Sequence, residues 1–301
     1  MSDLMLIIIS GPTASGKTDL AEMISKRSGA EIISADSGTR YRELRIGTGR
    51  YTLSEDLPYH MVGDLALSEY SSSFEWVAKA RRIVDEISSR DAHAVICGGS
   101  FHLIDRFLHG LEPGPPPDRE LRCELIGLEE KEGHGTLHRM LSGLDPPSAS
   151  SVHPNNTNRI IRYIEKAMLP EGVENVPPFE GIYHHFCILR NRDELSRRIW
   201  DRTMEMISMG WINEVMSLLE KDFPDSSPGF SSIGYRHIIS HIRDSLTIEE
   251  TVSSIVKDTV DLSRKQIRWC RSSGGEIIDI DENTDVELLS SRMCKVVYDE
   301  E

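Results

Sequence analysis

The sequence predicts an α/β fold in which a parallel sheet is flanked by helices, with a small all-helical insertion. Short apolar segments alternate with longer amphipathic ones, as successive strand–helix units require. The first apolar segment runs directly into Gly-x-x-x-x-Gly-Lys-Thr at residues 11–18, a spacing typical of phosphate-binding loops between a strand and a helix. Two segments rich in proline and glycine, 110–118 and 170–181, enclose a stretch with helical periodicity only. These features predict a P-loop NTPase-like core that carries the insertion.

The first element is a predicted strand at residues 4–9, which ends at the phosphate-binding loop. In such a loop the glycines let the backbone fold around an anion, the lysine reaches the outer phosphate oxygens, and the threonine hydroxyl is offered to Mg²⁺. A glycine-rich turn without a ligand is the alternative interpretation. The candidate phosphate-binding residues are Gly11, Pro12, Thr13, Ala14, Ser15, Gly16, Lys17 and Thr18, and the candidate metal ligand is Thr18.

A helix at 19–28 and a strand at 31–35 follow, and Asp36 comes directly after this strand. The carboxyl ends of parallel strands meet at one edge of the sheet, so Asp36 is expected at the edge that carries Lys17. The carboxylate is either functional or a cap of the following turn, and the spacing leaves both interpretations open. The segment 41–52, which with Arg40 is rich in arginine and glycine, is expected to be a loop, either solvated or in contact with phosphate.

A helix at 74–88 leads to a third strand at 93–97, which runs into Cys97-Gly98-Gly99. ATPases and GTPases of this class usually end a strand in an aspartate that supports Mg²⁺. The absence of that carboxylate here favours a small transferase or kinase over a motor or switch NTPase.

The two segments rich in proline and glycine divide the chain into a core of residues 1–117 and 182–301 and a helical domain of residues 118–181. This domain is predicted to contain three helices. The predicted elements from this point are helices at 120–131, 136–142 and 156–166, a strand at 183–189, a long helix at 193–220, a helix from the capping box Thr247-x-x-Glu250 to about 271, and a strand at 276–280.

Arg198 and Arg202 lie four residues apart on the predicted long helix and therefore share a face. Surface ion pairing is one interpretation of such a pair. A clamp for an oxyanion is the other, because guanidinium groups bind phosphate at two points.

The bulk composition narrows the possible classes. A net charge of −15 over 301 residues argues against nucleic-acid binding over the whole surface but leaves room for a local basic face. The longest apolar run is too short to span a bilayer, and five scattered cysteines without a CxxC pair argue against a disulfide framework or a zinc site. We therefore expect a cytoplasmic protein without a membrane segment; that it is a monomer is a separate expectation.

Several motifs together resemble the tRNA dimethylallyltransferase family, also called tRNA isopentenyltransferases, over nearly the whole chain. The most specific is HPNNTNRIIRYIE at 153–165. The others are GPTASGKT at 11–18, ADS at 35–37, Tyr41-Arg42 with Ile46-Gly47-Thr48, PYHMVGD at 58–64, IGYR at 233–236 and RKQIRWCR at 264–271.

The resemblance implies transfer of a dimethylallyl group from dimethylallyl diphosphate to the N6 amine of the adenosine 3′ of the anticodon, with Mg²⁺ as cofactor. It implies that the loop holds a departing diphosphate, that Asp36 is the general base, and that Ser100 and Arg202 are also catalytic, with Arg198 beside the diphosphate. The positions matching the family's tRNA contacts are Asp36, Ser37, Gly38, Thr39, Ser100, Arg122, Asn158, Arg159, Ile160, Ile161, Arg162, Ser231, Ser232, Ile233, Gly234, Tyr235 and Arg236. The insertion would bind the anticodon stem-loop.

Three departures from the family pattern lie around the expected base pocket. Thr39 stands where the family usually has glutamine, Phe101 where it has glycine, and Arg45 where it has aspartate. The alternatives are an enzyme that prenylates free adenylate, a small-molecule kinase, and a non-catalytic RNA-binding relative.

Overall fold

The structure of the protein is a computed structural model that describes residues 5–70, 72–111, 114–115, 118–169, 176–221, 223–225, 227–244 and 246–298. Residues 116–117 and 170–175, on which the predicted domain borders partly fall, lie outside these ranges.

The core is a six-stranded parallel sheet with the order β3-β2-β4-β1-β5-β6. All five residues of β1 and of β4 are buried, as expected for central strands covered on both faces. The strands are β1 Leu6–Ser10, β2 Glu31–Ser34, β3 Tyr59–His60, β4 Ala94–Gly98, β5 Tyr183–Arg190 and β6 Glu276–Ile280. The α/β fold with a parallel sheet, predicted from the sequence, is therefore confirmed.

The register of the central strands brings three loops together at the carboxyl edge of the sheet. Ser10 of β1 pairs with Gly98 of β4, and Ser34 of β2 pairs with Cys97 of β4. The strands therefore end at one level, and the residues that follow β1, β2 and β4 emerge side by side.

The helices cover the sheet and form the insertion. They are α1 Lys17–Ser28, α2 Ser73–Ser88, α3 Phe101–His109, α4 Arg119–Glu132, α5 Thr136–Leu144, α6 Pro146–Ser151, α7 Thr157–Met168, α8 Arg192–Ser208, α9 Trp211–Leu219, α10 Tyr235–Asp244, α11 Ile248–Ser272 and α12 Val286–Tyr298, with short 3-10 helices at Arg50–Thr52 and Pro228–Ser231. Among the described residues, none of these helices is long and apolar enough to cross a membrane.

The chain divides into two compact units, one of residues 1–108 and 179–301 and the other of residues 109–178. The second unit contains α4 to α7 around a core that includes Leu125, Leu141 and Ile164. Its borders differ from the predicted 118 and 181. An antiparallel bridge between Leu111 and Val176 closes the two chain ends of the unit, so residues on both sides of the helices belong to it.

One predicted element was wrong. The long helix at 193–220 is two helices, α8 and α9, because Gly210 has a φ of 94° and ends the helical path after Ser208. Strand β3 and helices α3, α6, α10 and α12 were not predicted. The sequence signal of β3 is weak because this strand has only two residues.

Candidate active site

The phosphate-binding loop joins β1 to α1 in the geometry that its glycines require. A Cβ atom on Gly11 would lie 2.4 Å from the carbonyl oxygen of Ile188, and Gly16 has a φ of 92°. The side chain of Lys17 is only 8% exposed, and its Nζ donates a hydrogen bond to the Pro12 carbonyl oxygen at 3.2 Å. The hydroxyl of Ser15 is buried and has no hydrogen-bond partner among the described residues. An unpaired buried hydroxyl inside this loop is suited to a phosphate oxygen.

Three arginines donate to three successive residues of this loop. Arg202 Nη1 lies 3.3 Å from Thr13 Oγ1, and Arg198 Nε lies 2.9 Å from the Ala14 carbonyl oxygen. Arg190 Nε lies 2.9 Å from the Ser15 carbonyl oxygen. Arg198 and Arg202 therefore both contact the loop, and their action as an oxyanion clamp stays a prediction.

Arg190 escaped the sequence prediction. It ends β5, the strand beside β1, and its guanidinium also pairs with Glu194. The signal that could have found it is a basic residue at the carboxyl end of a strand next to the loop.

Burial shifts the pKa of both Lys17 and the nearby Cys97. Burial lowers the pKa of Lys17, while Cys97 and Asp36 act in the opposite direction and Arg202 adds to the lowering. Burial raises the pKa of the Cys97 thiol to about 12 despite the nearby Lys17. Cys97 is thus a neutral thiol where an NTPase would have a carboxylate, and its Sγ lies 3.5 Å from the Lys17 carbonyl oxygen.

Asp36 and Ser100 are held together at the carboxyl edge of the sheet. Asp36 Oδ1 accepts a hydrogen bond from the Gly38 amide at 2.9 Å, so the carboxylate does cap its turn. Ser100 Oγ accepts from the Ser37 amide at 3.1 Å, and the Ser100 amide donates to Ala35 at 3.0 Å. No described residue donates to Asp36 Oδ2, which leaves this oxygen available to a proton donor from outside the chain.

Gln266 of α11 is a second residue that the sequence reasoning missed. Its side chain is 5% exposed. Oε1 accepts a hydrogen bond from the Thr13 amide at 3.0 Å, and Nε2 donates to the Gly99 carbonyl oxygen at 2.8 Å. Gln266 is the only glutamine in the chain, which is the signal that could have singled it out.

The arginine-rich loop is tied largely to the protein itself. Arg40 is 3% exposed and binds Asp64 through Nε and Nη2 at 3.0 and 2.8 Å. Arg50 donates to the Tyr41 carbonyl oxygen at 2.9 Å. Thr39 is buried and lies 2.9 Å from the Ser34 hydroxyl, so its side chain points into the core. The phosphate-contact interpretation therefore has no support at Arg40.

The segment 231–236 combines exposed and buried positions. Ser231 and Arg236 are exposed, and Ser232 Oγ lies close to Gly38. Tyr235 is fully buried, where its hydroxyl donates to Glu214 at 2.7 Å and accepts from the Gly47 amide at 3.1 Å. A Cβ atom on Gly234 would lie 2.0 Å from the ring of Trp211, so glycine is required there. Ile233 is half-buried.

The candidate residues of the insertion centre on one buried carboxylate. Glu165 is fully buried and accepts from Arg122 at 2.5 and 2.8 Å and from Arg162 at 3.1 Å. Ile160 and Ile161 belong to the core of this unit. Arg159 is exposed and donates to the Tyr163 hydroxyl at 3.0 Å, while the side chain of Asn158 is outside the described part of the chain.

Two of the three departures, Thr39 and Phe101, have side chains that pack locally, Thr39 against the Ser34 hydroxyl as described above. The Phe101 ring packs beside Trp269 of α11, with ring centroids 6.0 Å apart. The Arg45 amide donates to Glu214 at 3.0 Å, and the Arg45 side chain is exposed.

The comparisons with known proteins agree on one family. Residues 39–273 match the family model described as IPP transferase. The tRNA dimethylallyltransferases of Sorangium cellulosum and Koribacter versatilis are 32% and 34% identical, over 88% and 90% of this chain and 87% and 91% of theirs. That of Pseudothermotoga lettingae is 34% identical over 88% of this chain and 86% of its own.

Solved structures give the same result. The tRNA isopentenylpyrophosphate transferase of Bacillus halodurans is 26% identical, with a TM-score of 0.69 over 98% of this chain and 97% of that one. A eukaryotic dimethylallyltransferase that acts on tRNA is 16% identical and shares the fold, with a TM-score of 0.76 over 99% of this chain and 79% of that one. The chain therefore belongs to the IPP transferase family.

Proposed function

We propose that this protein transfers a dimethylallyl group from dimethylallyl diphosphate to the N6 amine of the adenosine 3′ of the anticodon in tRNA, releasing diphosphate. The observation that carries the proposal is the placement of two sites at one sheet edge. The loop that carries Lys17, and that Arg202 of α8 contacts, lies beside the turn that presents Asp36. ATPases and GTPases of this class usually end the corresponding strand in a metal-supporting aspartate, and β4 carries Cys97 there instead.

The loop acts on the leaving group. When the allylic carbon–oxygen bond breaks, its electron pair stays on the diphosphate, which gains negative charge. Lys17 and the Ser15 hydroxyl belong to the loop at which that charge would develop, and Arg198 and Arg202 contact it from α8. Fixed cations and hydrogen-bond donors stabilise such charge without reorganising during the step.

Asp36 acts on the nucleophile. The exocyclic amine of adenine is a poor nucleophile because its lone pair is delocalised into the ring. Asp36 Oδ1 is held by the Gly38 amide, so Oδ2 is free to accept the amine proton as the new carbon–nitrogen bond forms. Ser100, bound to Ser37, fixes the turn on which this carboxylate stands.

The residues present fit a Mg²⁺ ion that arrives with the diphosphate. Thr18, which follows Lys17 at the start of α1, has a hydroxyl without a hydrogen-bond partner in the described part of the chain. The described residues contain no group of three acidic, histidine or cysteine side chains that could hold a metal by themselves. Mg²⁺ usually keeps several waters and binds substrate phosphates with few protein ligands, and when bound here it would neutralise the departing diphosphate.

The tRNA contacts are proposed at the exposed members of the matched positions. These are Ser37, Arg159, Ser231 and Arg236, with the Asp36 and Ser100 side chains at the reacting base. The exposed basic residues near the end of α11, among them Arg268 and Arg271, would add phosphate contacts. The target base must leave its stack to reach Asp36, so contacts on flanking nucleotides are expected.

The test is incubation of the purified protein with bulk tRNA, dimethylallyl diphosphate and Mg²⁺, followed by mass spectrometry of the nucleosides. A prenylated adenosine in the tRNA digest supports the proposal. Preferential labelling of AMP in a competition with tRNA would instead indicate an adenylate transferase, and ATP consumption without prenyl transfer a kinase. Stem-loop binding without any product would indicate a non-catalytic relative.

A further inference from the structure

The side-chain amide of Gln266 connects two parts of the site that perform different tasks. The Thr13 amide, bound by Oε1 at 3.0 Å, belongs to the loop that holds the leaving group. The Gly99 carbonyl oxygen, bound by Nε2 at 2.8 Å, directly precedes Ser100, which in turn binds the turn of Asp36. A single carboxamide therefore joins the loop proposed to bind dimethylallyl diphosphate to the strand end that precedes Ser100.

The surroundings of Gln266 are shaped for this contact. A Cβ atom on Gly99 would lie 2.5 Å from Gln266 Nε2, so a side chain at position 99 would displace the amide. Helix α11 begins with a full capping box at Thr247 and packs on α8, the helix that supplies Arg198 and Arg202. The side-chain amide of Gln266 is thus carried by a helix that packs on the helix of Arg198 and Arg202.

We propose that Gln266 is a positioning residue that fixes the distance and orientation between the phosphate-binding loop and the Asp36 turn that Ser100 binds. This inference rests on the proposed function, because the loop and the Asp36 turn must together hold the allylic carbon and the adenine amine in reacting geometry. A misplacement of about 1 Å between reacting groups can lower a rate by about 10²-fold. Gln266 touches neither substrate in this role and acts through the backbone of Thr13 and Gly99.

The chemistry of the contact requires one acceptor and one donor on an uncharged group. A leucine of similar size would leave the Thr13 amide and the Gly99 carbonyl without this partner. A glutamate would keep the acceptor for Thr13 but would place a second oxygen against the Gly99 carbonyl. Only its protonated form could donate as the amide does.

The experiment compares Gln266→Leu and Gln266→Glu with the wild type and with Ser263→Ala. Ser263 lies three residues earlier on α11, is buried, and among the described residues its hydroxyl bonds only to the Val260 carbonyl oxygen of its own helix. We expect kcat of Gln266→Leu to fall at least about tenfold, while the KM for dimethylallyl diphosphate changes less than about threefold because Lys17, Arg198 and Arg202 remain. For Gln266→Glu, kcat should recover as the pH is lowered, relative to the wild type at each pH.

Two results would overturn the inference: kcat of Gln266→Leu within twofold of wild type, or a loss that Ser263→Ala shares equally. A readout independent of turnover is hydrogen exchange at residues 11–18 and 98–101. Both segments should exchange faster in Gln266→Leu and be unchanged in Ser263→Ala. Unchanged exchange in Gln266→Leu would also count against the positioning role. If the wild type yields no prenylated tRNA, the proposed function has failed, and the exchange comparison still decides whether Gln266 joins the two segments.

Discussion

At the scale of single residues, the turn at Asp36 and the catalytic role proposed for it would use different oxygens of one carboxylate. Oδ1 accepts from the Gly38 amide, as a turn-capping aspartate does. Oδ2 has no donor among the described residues. The two interpretations that the sequence left open are therefore compatible, and the structure assigns the turn to one oxygen without using the other.

Substitution of Asp36 by asparagine separates these two roles. The amide oxygen of asparagine can still accept from Gly38, so the turn is retained, but no proton acceptor of useful basicity remains. We expect kcat to fall by about 10²-fold or more while the Kd for tRNA stays within about twofold. The measurement is single-turnover kinetics beside a tRNA binding titration.

The matched control is Asp281→Asn, because Asp281 caps the same kind of turn through the Asn283 amide at 2.9 Å and is not among the proposed site residues. This variant should retain wild-type kcat. Near-normal turnover in Asp36→Asn would remove the general-base assignment.

The lowered pKa of Lys17 predicts that the binding of dimethylallyl diphosphate depends on pH. Burial lowers its pKa below the ordinary value of 10.5, so the free enzyme loses this charge earlier on the alkaline side than an exposed lysine would. We expect kcat/KM for dimethylallyl diphosphate to decline with an apparent pKa below 10.5, because this ratio reports groups of the free enzyme. The bound diphosphate favours the charged lysine, so the corresponding decline in kcat should lie at higher pH. An alkaline limb at or above 10.5 in kcat/KM would contradict the assignment.

At the scale of secondary-structure elements, the local signals that predicted strands and capped helices are strong. The strand–loop–helix at Lys17 and the capping box at Thr247 act through neighbours in sequence, so they are visible without tertiary information. Gly210 was misjudged because a glycine inside an amphipathic pattern costs only about 1 kcal/mol and does not by itself reveal a break. The split between α8 and α9 depends on the packing of Trp211 against Gly47 and Gly234, which lie far away in sequence.

The site could be predicted only where one sequence segment carries a whole function. Lys17 and Arg202 could be named as candidates because a loop motif and a helical spacing mark them in the sequence. Gln266 and Arg190 were missed because their partners are the backbones of Thr13, Gly99 and Ser15, which lie more than 150 residues away. Side chains that bind a distant backbone leave no pattern at a fixed spacing.

Within the insertion, α4 and α7 are joined by the buried carboxylate of Glu165. Burial alone would raise its pKa, but the hydrogen bonds from Arg122, Arg162 and the Asp118 amide and the charge of Arg122 outweigh burial, and the pKa lies below the ordinary value of 4.5. The charged form is thus favoured by folding. Its contribution to stability is present above pH 4.5 and is lost as the pH falls through the lower folded-state pKa.

Glu165→Gln should lower the free energy of unfolding by on the order of 3 kcal/mol at neutral pH, because two partly buried guanidinium groups lose their carboxylate. The difference from wild type should narrow as the pH falls below 4.5. Urea denaturation at several pH values measures this, with Glu132→Gln as an exposed comparison at the end of α4. A difference that is constant with pH would contradict the ion-pair account.

At the scale of the whole molecule, a net charge of −15 has to coexist with the proposed binding of a polyanion. Long-range attraction cannot come from the total charge. It has to come from exposed arginines in the segments that match tRNA contacts, such as Arg159 and Arg236. Each phosphate contact releases counterions, so the affinity for tRNA should fall with salt with a slope set by the number of such contacts.

Charge reversal at three exposed arginines distinguishes local contact from total charge. Arg159→Glu, Arg236→Glu and Arg292→Glu change the net charge equally, but Arg292 lies on α12, outside the matched segments, with its nearest acidic partner Glu276 at 3.8 Å. We expect the first two variants to weaken tRNA binding and to reduce the salt slope by about one each, while the KM for dimethylallyl diphosphate is unchanged. Arg292→Glu should bind tRNA as the wild type does. If all three weaken binding alike, total charge governs the association, and the proposed contacts at Arg159 and Arg236 are wrong.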